Sequence, residues 1–143
     1  MKIYFAGAIR GGRNDGDLYF KIIHYLENFG IVLTEHVGST ALSEKGEVSK
    51  TDNDIFQRDL NWLQSADVVV AEVSTPSLGV GYELGIAEKL KIPALCLYRS
   101  IKGKRLSAMI NGNEKFQCQA YQGFDEAKTH INIFLNRSRK HEI

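Results

Sequence analysis

Residues 66–73 (ADVVVAEV) constrain the fold more than any other stretch of this chain. So nearly continuous an apolar run suits a strand buried on both faces, and such strands belong to parallel sheets with helices packed above and below. The flanking sequence supplies those helices. Residues 3–9 (IYFAGAI) read as a first strand, and 14–29 carry Leu18, Ile22, Ile23, Leu26 and Phe29 at helical spacing before Gly30. Residues 31–34 form a short second strand, and the polar stretch 37–50 reads as a long loop. A helix over 52–65 is capped by Thr51 or Asp52, another spans 78–91, and strands are expected at 93–98 and 115–120. Residues 106–110 make at most a short helix, 124–137 make the last one, and the basic tail 137–143 is expected to fray. Strands alternating with helices predict one α/β domain over residues 1–143. The expected architecture is a flavodoxin- or Rossmann-like three-layer sandwich on a five-stranded parallel sheet. Such sheets bind ligands at the carboxyl ends of their strands, which points to loops 7–13, 72–79 and 98–107.

A chain of 143 residues, 43% hydrophobic and 24% charged, can bury a core without metals or disulfides. Eighteen basic against 17 acidic residues leave a formal charge of +1, which gives no electrostatic case for nucleic-acid or membrane binding. No apolar stretch approaches the ~20 residues of a membrane span, and no leader pattern opens the chain. Cys96 and Cys118 are too few for a disulfide framework and read as small buried hydrophobes. The expected setting is the cytoplasm, with the nucleus as the other compartment such a chain could occupy.

The loop Gly7-Ala8-Ile9-Arg10-Gly11-Gly12-Arg13 joins a strand end to a helix start. Glycines admit a ligand close to the backbone, amides at a helix start attract anions, and Arg10 can fork onto a phosphate. The spacing fits neither dinucleotide fingerprint nor P-loop, and a tight turn with solvated arginines explains it equally well.

Two carboxylates sit where helical geometry places apolar side chains. At ~100° per residue with Ile55 at zero, Asp59 falls near ~40°, between Ile55 and Leu63 at ~80°, with Phe56 near ~100° and Leu60 near ~140°. Gln57, Arg58 and Asn61 fall outside that arc. With Val80 at zero, Glu83 falls near ~300°, between Leu90 at ~280° and Ala87 at ~340°; Leu84 lies near ~40° and Ile86 near ~240°. Glu88 lies outside and reads as solvated. A carboxylate on a core-facing stripe is costly unless paired or used. A hydrogen bond to a neighbouring loop is the plain explanation for Asp59. For Glu83, in the first turns after Ser77, the helix dipole favours an ionised form. Together the two suggest a glycosyl-transfer pair, with Glu83 as nucleophile. His36 reads as a loop histidine that could touch a ligand, Ser77 as an N-cap, Ser107 as a turn residue, and Trp62 as core or interface. His24, His130 and His141 show no metal-ligand spacing.

Several segments, in order, closely resemble one family: YFAGAIRGGR at 4–13, VLTEHV at 32–37, DLNWLQ at 59–64, residues 66–72, PSLGVGYELG at 76–85 and LSAMI at 106–110. The family is the nucleoside 2-deoxyribosyltransferase superfamily, specifically its branch of 2′-deoxynucleoside 5′-phosphate N-hydrolases. The likeness runs from about residue 2 to 135 and is loose over 38–50 and the tail. It implies cleavage of the N-glycosidic bond of 2′-deoxynucleoside 5′-monophosphates (dNMPs) to 2-deoxyribose 5-phosphate and free base, through a covalent deoxyribosyl–Glu83 intermediate. Asp59 would serve the departing base and Tyr4 would pack by the sugar. Arg10, Gly7, Ile9, Gly11, Gly12, Ser77, Gly79 and Ser107 would bind substrate, most of them at the phosphate, with His36 beside them. Ser107 and Met109 would reach the site of the other subunit in a homodimer. Neither metal nor organic cofactor is implied. Family members commonly carry serine where this chain has Ala8, so phosphate binding here would lean more on Arg10 and backbone amides.

Two rivals stay open at this point. A deoxyribosyltransferase would take unphosphorylated nucleosides, which Arg10 in a glycine-rich loop disfavours. A non-catalytic nucleotide-binding module would gain little from an acidic pair facing an anionic ligand.

Overall fold

A computed structural model describes residues 1–9, 13–36 and 50–141. In chain order the elements are β1 (Lys2–Gly7), α1 (Arg13–Leu26), β2 (Ile31–Leu33), α2 (Asp52–Ser65), β3 (Val68–Glu72), α3 (Leu78–Lys89), β4 (Ala94–Arg99), α4 (Ala108–Asn111), β5 (Phe116–Tyr121) and α5 (Phe124–Lys140). The five strands form one parallel sheet in the order β2-β1-β3-β4-β5. That is the flavodoxin-like strand order, with its switch point beside β1 and β3. All five residues of β3 are buried, as a central strand covered on both faces requires.

Successive residues of a strand point to opposite faces, and the core divides accordingly. Ile3, Phe5, Val68, Val70, Leu95 and Leu97 meet α1 and α5 through Tyr19, Ile22, Leu26, Ile131, Phe134 and Leu135. Tyr4, Ala6, Val69, Ala71 and Cys96 meet α2 and α3 through Leu63, Val80, Leu84 and Ala87. Three layers result, as the sequence pattern requires. No helix among the described residues is long and apolar enough to cross a membrane.

Several boundaries differ from expectation. β1 stops at Gly7, leaving Ile9 67% exposed at the strand's mouth. The tail expected to fray is instead helical to Lys140, because the Arg139 guanidinium donates to the Phe29 carbonyl at 2.8 Å and lies over the Phe29 ring. Leu90 closes α3 as a largely exposed cap residue rather than core. Cys118, paired in register with the buried Cys96, is only half-buried. The stretch expected as a long loop lies, but for Lys50, outside the described residues.

Candidate active site

Three adjoining cavities open at the carboxyl ends of β1 and β3. One of about 250 Å³ lies between α2 and α3 and is walled by Ile55, Phe56, Asp59, Leu60, Tyr82 and Ile86. A second, of about 460 Å³, runs between residues 7–9 and 75–80. Ile9, Glu35, Gly79 and Glu83 line both. The third, of about 430 Å³, shares Ser77 and its neighbours with the second and adds Ser107, Met109 and Ile110. A wider cavity of about 580 Å³, beside Tyr98, Lys104 and Arg105, contains none of the carboxylates singled out.

The apolar arc of α2 therefore faces a cavity as much as a core. Leu63 and Asp59 are its buried residues, while Ile55 and Leu60 are half-buried and Phe56 is exposed. Phe56 meets Tyr82 of α3 across the opening, ring centroids 6.4 Å apart. A capping box fixes the start of α2: Thr51 Oγ1 accepts from the Asp54 amide, and the Asp54 carboxylate accepts from the Thr51 amide, each at 3.1 Å.

Glu83 occupies the junction of the first two cavities. It is half-buried, and Tyr4, fully buried within β1, donates a hydrogen bond to its carboxylate. Burial pushes the Glu83 carboxyl up, the negative charge of Glu35 adds to that, and the Tyr4 hydrogen bond pulls it back; the result is about 7. The expected helix-dipole preference for the ionised form is thus overridden by desolvation. Burial, then Glu83 and then Glu35 drive the Tyr4 hydroxyl upward, so it stays protonated and a donor. Asp59, 9% exposed, pairs through Oδ1 with Arg58 Nε at 3.0 Å, while Arg58 Nη2 lies 3.4 Å from Glu35 Oε1. The guanidinium also lies 4.7 Å from the centre of the Trp62 ring. One cation thus joins two carboxylates that flank the cavity, and one of them, Glu35, acts on a third, Glu83.

Among the residues expected to bind substrate, Gly7, Ile9, Ser77 and Gly79 line the 460 Å³ cavity together with Glu83. Ser77 caps α3 by accepting from the Val80 amide at 3.3 Å. A Cβ built on Gly79 would meet only Ser77 Oγ, at 3.9 Å, so the protein's own packing does not require glycine there; its absence of a side chain widens the cavity. Gly7 differs, since a Cβ there would press on the Tyr19 ring at 3.0 Å. His36 Nε2 contacts the Gly7 carbonyl at 3.0 Å, and its ring packs against Tyr19 and Phe5. Burial lowers its pKa. Ser107 and Met109 line the adjoining cavity of their own chain, with Met109 82% exposed. Arg10, Gly11 and Gly12 lie outside the described residues.

Sequence reasoning missed Glu35, Arg58 and the Phe56–Tyr82 rim. Glu35 follows a three-residue strand, where no periodicity exists to betray it. Arg58 falls outside the apolar arc of its helix, yet its long stem lets the head fold back to the carboxylates. Among the described residues, no three His, Cys, Asp or Glu side chains are grouped so as to hold a metal ion.

Comparison with known proteins identifies the family. The sequence profile of the family described as nucleoside 2-deoxyribosyltransferase matches residues 3–120. The 5-hydroxymethyl-dUMP N-hydrolase of Tetraodon nigroviridis is 56% identical over 113 residues, covering 78% of this chain and 80% of that protein. The rat (Rattus norvegicus) protein of the same name is 50% identical over 136 residues, covering 94% and 82%. Among solved structures, a Clostridium botulinum CMP N-glycosidase superposes with a TM-score of 0.67 at 14% identity, covering 94% of this chain and all of that one. A 2-deoxyribosyltransferase from Bacillus psychrosaccharolyticus gives 0.66 at 15% identity, covering 90% of each; both likenesses concern the fold. With its profile matched over most of its length, the chain belongs to the nucleoside 2-deoxyribosyltransferase family.

Proposed function

We propose that this protein hydrolyses the N-glycosidic bond of 2′-deoxynucleoside 5′-monophosphates, giving 2-deoxyribose 5-phosphate and a free base. The observation that carries the reading is Glu83: a half-buried carboxylate held by the Tyr4 hydroxyl, between one compartment rimmed by aromatic rings and another walled by Gly7, Ser77 and Gly79. Relatives named as N-hydrolases of one such nucleotide, 5-hydroxymethyl-dUMP, support the substrate class.

The base enters the Phe56–Tyr82 compartment, the sugar lies over Tyr4, and the 5′-phosphate lies toward Ser77 and residues 7–9. With a pKa of about 7, a substantial fraction of Glu83 is ionised at neutral pH. The ionised carboxylate attacks C1′, and the bond to the base nitrogen breaks with its electron pair leaving on the base. Asp59, on the base side, orients the leaving group and assists its protonation. Water then attacks C1′ of the deoxyribosyl–Glu83 ester and releases the sugar phosphate. Tyr4, packed under the sugar, disfavours a 2′-hydroxyl. Arg10 supplies the charge-assisted contact to the phosphate, in greater measure because Ala8 replaces the serine common in this family.

The working unit is a homodimer in which Ser107 and Met109 complete the partner's phosphate site. Supporting this, Leu78, Tyr82 and Met109 are 97%, 60% and 82% exposed around the site, apolar surface of the kind that subunit contacts cover. A two-fold axis would make the exchange reciprocal. Mixing an inactive Glu83→Gln chain with an inactive Ser107→Arg chain restores activity if the sites are shared; no recovery after demonstrated subunit exchange rejects sharing.

The test of the reaction is incubation with a panel of dNMPs, ribonucleoside monophosphates and deoxynucleosides, following free base by chromatography. Intact-protein mass spectrometry should show a deoxyribose-phosphate adduct that Glu83→Gln lacks. Arg10→Ala should raise KM for a dNMP about tenfold or more. Equal kcat/KM for a dNMP and its dephosphorylated nucleoside would move the assignment to a transferase of free nucleosides.

A further inference from the structure

Behind the 460 Å³ cavity, on the opposite face of the sheet from Glu83, lies a second polar cluster that the reaction does not use. Glu72, at the end of β3, has no exposed surface. Its Oε1 accepts from the Ser74 amide at 2.7 Å, and its Oε2 accepts from Ser74 Oγ at 3.1 Å and from the Tyr121 hydroxyl. Arg99, at the end of β4, places Nε 3.9 Å from the same oxygen and Nη2 2.6 Å from Asp15 Oδ1. Asp15 lies in the first turn of α1, is 8% exposed, and accepts from Thr75 Oγ1 at 2.8 Å through its other oxygen. The Arg99 amide donates to Ser74 Oγ at 2.8 Å. The carboxyl ends of β3, β4 and β5, the first turn of α1 and the 73–77 loop are thereby tied into one network.

Its position gives it a use. Thr75, Pro76 and Ser77 form one wall of the cavity, and Gly7, Ala8 and Ile9, leading toward α1, form the other. The Asp15–Thr75 hydrogen bond joins the helix behind the second wall directly to the first. Ser74, held at both amide and hydroxyl, fixes the chain just before Thr75. An apolar cluster would fill this space with less desolvation cost; directional bonds set the separation of two loops, which apolar contacts do far less sharply.

We propose that Asp15, with Thr75 as its partner, is a positioning residue for the substrate's 5′-phosphate, setting the width of the compartment without touching the ligand. The inference rests on the reading that this compartment receives the phosphate. Asp15 lines none of the three cavities, so its effect must pass through the loop.

The experiment compares Asp15→Asn, Thr75→Val and the double variant with wild type. The readouts are thermal stability, kcat and KM for a dNMP, kcat/KM for the matching deoxynucleoside, and inhibition by inorganic phosphate. Each single variant should raise KM for the nucleotide and the phosphate inhibition constant together, by about five- to tenfold, the value of one hydrogen bond. Turnover at saturation should stay within about twofold, and kcat/KM for the deoxynucleoside should not change. The double variant should lose less than the product of the two single effects, since Thr75→Val removes the Asp15–Thr75 bond and Asp15→Asn weakens it while releasing Arg99. Should Asp15→Asn fail to fold, Thr75→Val, which keeps the side-chain shape, carries the measurement. Equal losses on nucleotide and deoxynucleoside, or lowered stability with KM unchanged, would overturn the proposal and leave a purely structural network. Fully additive single effects would overturn it too, by assigning Thr75 a direct contact. A wild type that shows no preference for the phosphorylated substrate would instead reject the underlying reading.

Discussion

Glu72, at the end of β3, and Glu83, in α3, are the same residue type, and they lie on opposite sides of one sheet in opposite surroundings. Glu72 has no exposed surface and is surrounded by donors: the Ser74 amide and hydroxyl, the Tyr121 hydroxyl and the Arg99 guanidinium. Glu83 is half-buried, has the Tyr4 hydroxyl for a hydrogen bond, and feels the negative charge of Glu35. A carboxylate whose lone pairs are filled holds loops together and is a poor nucleophile. One left short of donors, with its pKa near neutrality, is costly to the fold and useful to a reaction. The comparison teaches that burial alone does not mark a catalytic carboxylate. Among the described residues, it is the shortage of donors that separates the candidate Glu83 from Glu72.

The largest expected effect falls on Glu83. Glu83→Gln should lower turnover by several powers of ten while leaving nucleotide binding nearly intact, checked by single-turnover kinetics and calorimetric titration. Retention of more than about a tenth of wild-type activity would exclude a nucleophilic role, because ~1.4 kcal/mol of barrier is too little for it.

Glu72→Gln should do the reverse. Removing one charge from a buried, paired set costs on the order of 3 kcal/mol, which for a chain of this size lowers Tm by about 10 °C. Thermal unfolding measures it, and kcat at a temperature where the variant is folded should stay near wild type. A collapse of kcat with unchanged Tm would erase the contrast between the two glutamates.

Tyr4 links the reactive side to the core, and its replacement sharpens the comparison by removing Glu83's donor. The Tyr4 hydrogen bond pulls the Glu83 pKa down against burial and Glu35. In Tyr4→Phe the carboxyl therefore titrates higher still, by about one unit if the bond is of ordinary strength. The acidic limb of the kcat/KM profile should move to higher pH, with about a fivefold loss near pH 7 that approaches tenfold on the acidic side and shrinks on the alkaline side. An unmoved limb would mean that Tyr4 acts only through packing.

These two glutamates also show how far the sequence was legible. The strand–helix alternation gave the layers and the parallel sheet, because an apolar run like that of β3 has few other solutions. Helix periodicity exposed Asp59 and Glu83, since a polar residue inside an apolar arc breaks a regular pattern. Glu72 broke none: at the end of a strand buried on both faces, a buried and a solvated carboxylate look alike in sequence. Its partners Ser74, Arg99 and Tyr121 converge from three separate segments. Part of the apolar arc of α2 proved to line a cavity rather than a core, a distinction that residue type cannot make.

The smallest effect concerns stability rather than rate. Folding raises the Glu83 carboxyl from an ordinary 4.5 to about 7. Between those values the folded state keeps a proton that the unfolded chain has released, so stability falls as pH rises from about 4.5 to about 7 and then levels off. Glutamine resembles the protonated carboxyl and has nothing to lose over that window. The Tm of Glu83→Gln minus that of wild type should therefore grow between pH 5 and pH 8, by a few degrees for a group still partly reached by solvent. Every other titrating group is common to both chains and cancels in the difference. A Tm difference for Glu83→Gln that is flat across pH would mean that the wild-type carboxyl is not held near neutrality, and the distinction between a saturated and an under-supplied glutamate would fail on its reactive side.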